Sequence, residues 1–372
     1  MKLLSELRHL GKRSADLWRG IRARRRTARS AARFLRPGVY FLVSETLWTR
    51  SGAAVPSHLA RTKGGPSSKD APVSRMYRLF RGAAGMIIVI GPRRGRGADL
   101  VVASFDGGTV VLDRSAQRVY RTYGSGVLTP QDEERRRRFT EHVSAPSFRF
   151  LEGGAAVEEE LIDGDHLGDL TAEERTALLT TLVEQFADLA SSYTEATASV
   201  SDDDLDELLQ YVEFPPGFAE LWKESVTSWL SPDAPWVPTP REANAKNLVV
   251  RPDGRPAPID LGDLQVDPYF VYPVGILIAA GQECVQAFLR GSEEYSMSEL
   301  MASAGRRWNG TEEERRGLLL TRIVYASHKD SHIDGAVDRR LFEESLLKRW
   351  DEVRDAFASQ IQEPTGGSCS LA

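Results

Sequence analysis

The stretch between Pro240 and Pro268 constrains this chain most. It runs Pro-Arg-Glu-Ala-Asn-Ala-Lys-Asn-Leu-Val-Val, then Arg-Pro-Asp-Gly-Arg-Pro-Ala-Pro, then Ile-Asp-Leu-Gly-Asp. Two short apolar runs, Leu248-Val249-Val250 and Ile259, flank Asp253-Gly254, a dipeptide suited to the tight turn of a β-hairpin. Asn247 stands just before the first run and Asp260 just after the second. A closed hairpin brings this amide and this carboxylate to one end, where their oxygens can hold one hard cation.

This order of residues resembles the catalytic loop and metal-binding Asp-x-Gly element of the protein-kinase-like fold, in particular that of the aminoglycoside and choline phosphotransferases. Those proteins read His-Gly-Asp, four residues, Asn, a hairpin, then Ile-Asp-Phe/Trp-Gly/Asp. The resemblance implies that Asn247 and Asp260 hold Mg²⁺ and that Glu242 stands at the catalytic carboxylate. Lys246, beside Asn247, would help neutralise the γ-phosphate of ATP. Pro240-Arg241-Glu242 replaces His-Gly-Asp. Glutamate keeps the charge and basicity of aspartate on a side chain one methylene longer, which alters geometry more than chemistry. The bland alternative is an ordinary hairpin with polar ends.

The rest of the chain has to supply the context. Its 372 residues are enough for one large domain or two ordinary ones. A net charge of −5 does not suggest a nucleic-acid binder. Two cysteines, Cys284 and Cys369, are too few for a disulfide framework or a thiolate zinc site. Glu6, Arg8 and His9 interrupt any signal-peptide core, and the longest apolar run, Phe270 to Ala280, is too short to span a bilayer. These features lead us to expect a cytoplasmic protein without a transmembrane segment. The six histidines lack zinc-ligand spacing, and there is no nucleophile elbow or Walker A motif.

Residues 1–36 are strongly basic, with leucines at helical spacing, and predict an amphipathic helix. Against an acidic remainder it reads either as an arm for an acidic peptide, protein or membrane, or as a helix docked on its own domain. Residues 37–163 read as a β-rich region with an insertion at Gly52–Ser74. Its strands are Met86–Ile90, Leu100–Ala103, Thr109–Leu112 and Arg118–Arg121, then a Thr129-capped helix, then Phe148–Leu151 and Ala156–Leu161. Residues 164–362 read as mainly helical, opening on the capping box Thr171–Glu174 and enclosing the hairpin at 240–263, and residues 363–372 read as a disordered tail.

That order matches the resemblance: an α+β, bilobal kinase-like fold with a small antiparallel β lobe and one helix, a large mainly α lobe, and a basic N-terminal helix before both. In that register Glu160–Gly164 is the hinge that would hold adenine. Arg121, or Arg118, takes the place of the lysine that contacts nucleotide phosphates. Glu134 is the expected acidic partner on the helix, with Glu133 and Glu141 as rivals. Gly91–Gly97 and Asp106-Gly107-Gly108 are candidate phosphate-covering loops.

The basic segment and the Arg-Glu catalytic loop make the chain similar to the stand-alone Ser/Thr kinases of class V lanthipeptide and thioamitide biosynthesis. Those kinases phosphorylate a ribosomally made precursor peptide, and a separate lyase then eliminates the phosphate. The resemblance therefore implies ATP and Mg²⁺ as cofactors, with a precursor peptide and a lyase as partners. A small-molecule phosphotransferase and a nucleotide-binding scaffold without activity are the alternatives.

Overall fold

The structure is a computed structural model and describes residues 23–42, 47–50, 53, 87–91, 97–103, 108–123, 126–192, 229, 234–262, 264–292, 297–333 and 336–361. It divides into two compact units. One holds the residues up to Glu133 together with Pro146–Ile162, and the other holds Glu134–Ala145 and everything from Asp163 onward. The architecture is α+β, with one antiparallel sheet in the first unit and mainly helices in the second.

The first unit is built on eight strands: β1 (Gly38–Leu42), β2 (Leu47–Arg50), β3 (Ile87–Ile90), β4 (Leu100–Ala103), β5 (Thr109–Asp113), β6 (Arg118–Thr122), β7 (Phe148–Leu151) and β8 (Ala156–Glu160). They lie in the order β3-β1-β2-β4-β5-β6-β8-β7, and every pairing is antiparallel. The β4–β5–β6 meander forms where β-branched runs alternate with Gly- and Ser-containing turns. β1 had no reading from sequence, because its exposed Val39 and Phe41 alternate with only one buried residue, Tyr40.

Residues 23–30 are helical, and this helix is not a free arm throughout. Ala28, Ala31, Phe34 and Leu35 are buried with Tyr40, Trp48, Val101 and Tyr120 in the core of the sheet unit. Phe34 stacks on Tyr120 with ring centroids 4.7 Å apart. Arg26, Arg29 and Arg33 stay at the surface, Arg33 pairing with Glu152 at 2.6 Å. Residues 1–22 and most of the insertion lie outside the described residues, as does the expected helix start at 202–206.

The second unit is organised by long helices. α1 (Pro130–His142) begins at Thr129, whose hydroxyl accepts from the Asp132 N–H at 3.2 Å while the Asp132 carboxylate accepts from the Thr129 N–H at 2.7 Å. Its second half belongs to this unit, where Phe139 meets Phe186 edge-on at 6.0 Å. α2 (Ala172–Ser192) opens on the expected box: Thr171 N–H donates to Glu174 at 2.8 Å, and Glu174 N–H donates back to the Thr171 hydroxyl at 3.3 Å. α3 (Val271–Ala279), α4 (Gln282–Leu289), α5 (Ser298–Ser303), α6 (Glu312–Ser331) and α7 (Arg339–Ile361) follow among the described residues. Leu182, Phe186, Tyr272, Ile276, Val285, Leu319 and Phe342 form one continuous core across them. His332 begins a short strand after α6, so it does not share a helix face with His328. Among the described residues no helix is long and apolar enough to cross a membrane.

Candidate active site

Two nested antiparallel pairs build the site. The outer pair joins β9 (Trp236–Pro240) to β12 (Leu264–Pro268), with Pro240 opposite Leu264. The inner pair joins β10 (Leu248–Val250) to β11 (Pro256–Pro258), with Leu248 opposite Pro258. The two connectors, residues 241–247 and 259–263, therefore leave the ladders at one end. Glu242, Lys246 and Asn247 lie on the first connector and Asp260 on the second.

The prolines explain why β11 starts earlier than the single Ile259 suggested. Ile259 N–H donates to the Asn247 carbonyl at 2.9 Å, and Arg251 N–H donates to the Arg255 carbonyl at 2.9 Å. Hydrogen-bonded pairs alternate along an antiparallel ladder, so Pro256 and Pro258 fall at the positions that donate nothing. The Ile259–Asn247 bond extends the inner ladder to the connector and sets Asn247 opposite Ile259, next to Asp260. Asp253 turns the far end, its carboxyl held below the usual range by the Arg255 N–H and guanidinium.

The 241–247 connector is pinned from several sides. Asn244 accepts from the Lys246 N–H through its side-chain oxygen at 3.0 Å, and its carbonyl accepts from the Asn247 N–H at 2.9 Å. His166 Nδ1 lies 2.8 Å from the Lys246 carbonyl oxygen. His166 also bridges to Val249, and Val250 N–H donates to the Asp165 carbonyl at 2.9 Å, so residues 165–166 run along the free side of β10. Gly164 permits this, because a Cβ there would stand 2.0 Å from the Val250 oxygen. Beneath the connector, Gly275 of α3 lets the helix approach so closely that a Cβ would sit 2.6 Å from that of Ala243.

The outer pair is locked by a buried carboxylate. Asp267, 2% exposed, accepts from Thr239 at 2.6 Å and from the Tyr325 hydroxyl at 2.8 Å, and it pairs with Lys329. Burial, then the Asp267 charge, pushes Tyr325 well above its ordinary pKa, so it serves as a neutral donor. Tyr272 lies stacked on Phe186 at 5.3 Å; burial and then the charge of Asp260 raise its ionisation.

Glu242, Lys246 and Asp260 are exposed and Asn247 is half-buried, as reacting or ligand-binding groups at a loop end must be. Asp263 and the central residues of Gly91–Gly97 and Asp106–Gly108 lie outside the described residues. Among the described residues no three His, Cys, Asp or Glu side chains cluster to hold a metal by themselves. An Asn–Asp oxygen pair fits a cation whose remaining ligands come from a nucleotide, the usual manner of Mg²⁺.

In the sheet unit the expected cations stand on β6. Arg121 Nε donates to Glu159 of β8 at 2.7 Å, and this carboxylate is only 2% exposed. Arg118 lies opposite Glu160 in register and 3.9 Å from Glu158. The carboxylate beside Arg121 is thus Glu159, which the sequence reading did not single out. Glu134 is held by Arg137 at 2.6 Å and Arg138 at 2.8 Å on its own helix, and these guanidinium bonds lower its pKa to about 2. Glu133 lies on the same helix, and Glu141 pairs with Arg137. Glu160 ends β8, its carboxylate accepting from the Ser147 N–H at 3.2 Å, and Leu161 N–H donates to the Gln117 carbonyl at 3.0 Å.

Sequence comparison finds no protein-family model and no curated protein that matches the chain. Among solved structures it is similar to an ADP-bound aminoglycoside phosphotransferase, at 15% identity and a TM-score of 0.37 over 69% of this chain and 93% of that one. It is also similar to the choline kinase of Streptococcus pneumoniae, at 10% identity and a TM-score of 0.36 over 71% and 86%. A choline/ethanolamine kinase family protein of Mesorhizobium loti shares 12% identity and a TM-score of 0.40 over 75% and 94%.

Proposed function

We propose that the chain is an ATP-dependent phosphotransferase, a kinase of the protein-kinase-like superfamily, working at the shared end of the two nested strand pairs. The observation that supports this reading is the nesting of the two strand pairs, which sets the connector of Glu242, Lys246 and Asn247 and the connector of Asp260 at one end of the ladders. Phosphoryl transfer has a loose transition state, so the protein's part is to position groups and to neutralise charge. Asn247 and Asp260 would hold Mg²⁺, which draws charge from the phosphate oxygens when bound. Glu242 orients an acceptor hydroxyl and takes its proton as the new ester bond forms. Lys246 places an ammonium beside the transferring phosphoryl group. Arg121, or Arg118 on the opposite face of the same strand, would supply the cation for the nucleotide phosphates, and Glu160 would open the adenine-binding segment.

The acceptor proposed is a Ser or Thr hydroxyl of a ribosomally made precursor peptide, whose phosphate a partner lyase then eliminates to leave a dehydroamino acid. Arg26 and Arg29, exposed on the helix of residues 23–30, support an acidic peptide partner. The experiment is phosphate incorporation from labelled ATP into a peptide encoded beside the gene. Labelling of Ser or Thr in that peptide supports the reading. Labelling only of small-molecule hydroxyls transfers it to a metabolite or antibiotic kinase, and nucleotide binding without transfer makes the chain a scaffold.

A further inference from the structure

A cavity of about 50 Å³ opens in the helical unit against the connector that carries Glu242. Ala243 forms one wall, Gly275 and Ala279 of α3 another, and Arg322 of α6 with Arg349 and Glu352 of α7 the rest. Arg322 is only 8% exposed. Its Nε donates to the Val271 carbonyl at 2.6 Å, and its two terminal nitrogens have no hydrogen-bond partner among the described residues. Arg349 gives Nη2 to Asp330 at 2.6 Å, while its Nε is buried without a partner among the described residues.

A buried donor left unmet, as Arg349 Nε is among the described residues, is costly, because a lost hydrogen bond to water has to be replaced. The nearby carboxylates are largely engaged. Asp267 serves Thr239, Tyr325 and Lys329, and Asp330 serves Ser345 as well as Arg349. Glu352 is exposed at the rim. Burial and the charge of Arg349 push Arg322 down to about 10, the direction expected of a cation short of counter-charge. Gly275 keeps the space open, since a Cβ there would lie 2.7 Å from Arg322 Nη2. The volume suits a few waters or one small oxyanion, and a guanidinium fork matches the paired oxygens of such an ion.

We propose that this cavity is an oxyanion subsite, taking a carboxylate or phosphoryl group carried by the acceptor substrate. The acceptor is then acidic, with its anionic group held by Arg322 and Arg349 behind the loop of Glu242. The identity of the carrier rests on the kinase reading; the anion site rests on the two arginines alone.

The test is titration calorimetry of the full chain, free of nucleotide, with inorganic phosphate and separately with acetate. Saturable binding is expected, about tenfold weaker in Arg349→Ala, the scale of one charge-assisted hydrogen bond. Arg322→Lys, which keeps the charge and loses the fork, should weaken it similarly. Arg354→Ala on the exposed side of α7 should leave it unchanged. Arg349 is 30% exposed, so its substitution tests the site without emptying the core. A preference for phosphate or for acetate assigns the group. Failure of both anions to bind saturably, or unchanged binding in Arg349→Ala, overturns the proposal. Anion binding without ATP turnover would leave the subsite standing and remove the kinase reading instead.

Discussion

His166 Nδ1 lies 2.8 Å from the carbonyl oxygen of Lys246, eighty residues away in sequence. A carbonyl only accepts, so Nδ1 carries the hydrogen and the bond holds the connector from Asn244 to Asn247 against β10. His166→Ala should therefore slow phosphoryl transfer about 10–100-fold through misplacement of Lys246 and Asn247. His166→Asn, whose amide nitrogen can stand where Nδ1 stands, should restore most of the rate. Equal rates for all three proteins would show that the bond does not position the loop.

Glu242 is exposed at the loop end, so its substitution should leave the fold alone. Glu242→Gln should lower turnover about 10²–10⁴-fold with nucleotide binding retained. Activity within a few-fold of the parent would move the proton acceptor elsewhere, with Asp263 the next candidate.

Asp267 has the opposite character. It is a buried carboxylate satisfied by Thr239, Tyr325 and Lys329. Asp267→Ala strands all three donors, and a loss of about 3–5 kcal/mol in urea unfolding is expected. An unchanged midpoint would mean that the strand pair β9–β12 does not depend on this network.

The buried tyrosines set the behaviour at high pH. Burial raises Tyr269 to about 12 and moves Tyr40, Tyr272 and Tyr325 in the same direction. Unfolded tyrosine ionises near pH 10. Above that pH the unfolded chain releases protons that the folded chain keeps, so stability is complete below about pH 10 and falls as the pH climbs toward 12. Tyrosinate absorbance should rise in two phases, the second coinciding with loss of circular dichroism. A single phase near pH 10 with the dichroism intact would contradict this.

How much of this was legible depended on the range of the interaction. The Thr129 and Thr171 caps and the Asp253-Gly254 turn are local, three or four residues long, and the sequence carries them openly. Of the second strand the sequence showed only Ile259, because Pro256 and Pro258 do not look like strand residues, yet they occupy its non-donating positions. That Glu159 accepts from Arg121 could not be read without knowing that β6 pairs with β8. His166, Arg322 and Asp267 act across 80, 51 and 58 residues respectively, distances at which periodicity and spacing are silent. The sequence left the basic segment open between an arm and a docked helix for a related reason: Ala28, Ala31 and Phe34 look like ordinary helix positions until the sheet that buries them is present.

The central claim is that Asn247 and Asp260, brought to one end by the nested pairs, serve phosphoryl transfer from ATP. The direct measurement is transfer of labelled γ-phosphate, in Mg²⁺, into the proposed peptide acceptor by the parent protein and by Asn247→Ala and Asp260→Ala, with thermal unfolding recorded for each. Labelling by the parent alone, with all three proteins melting alike, is the predicted result. Near-normal labelling by both variants would contradict it.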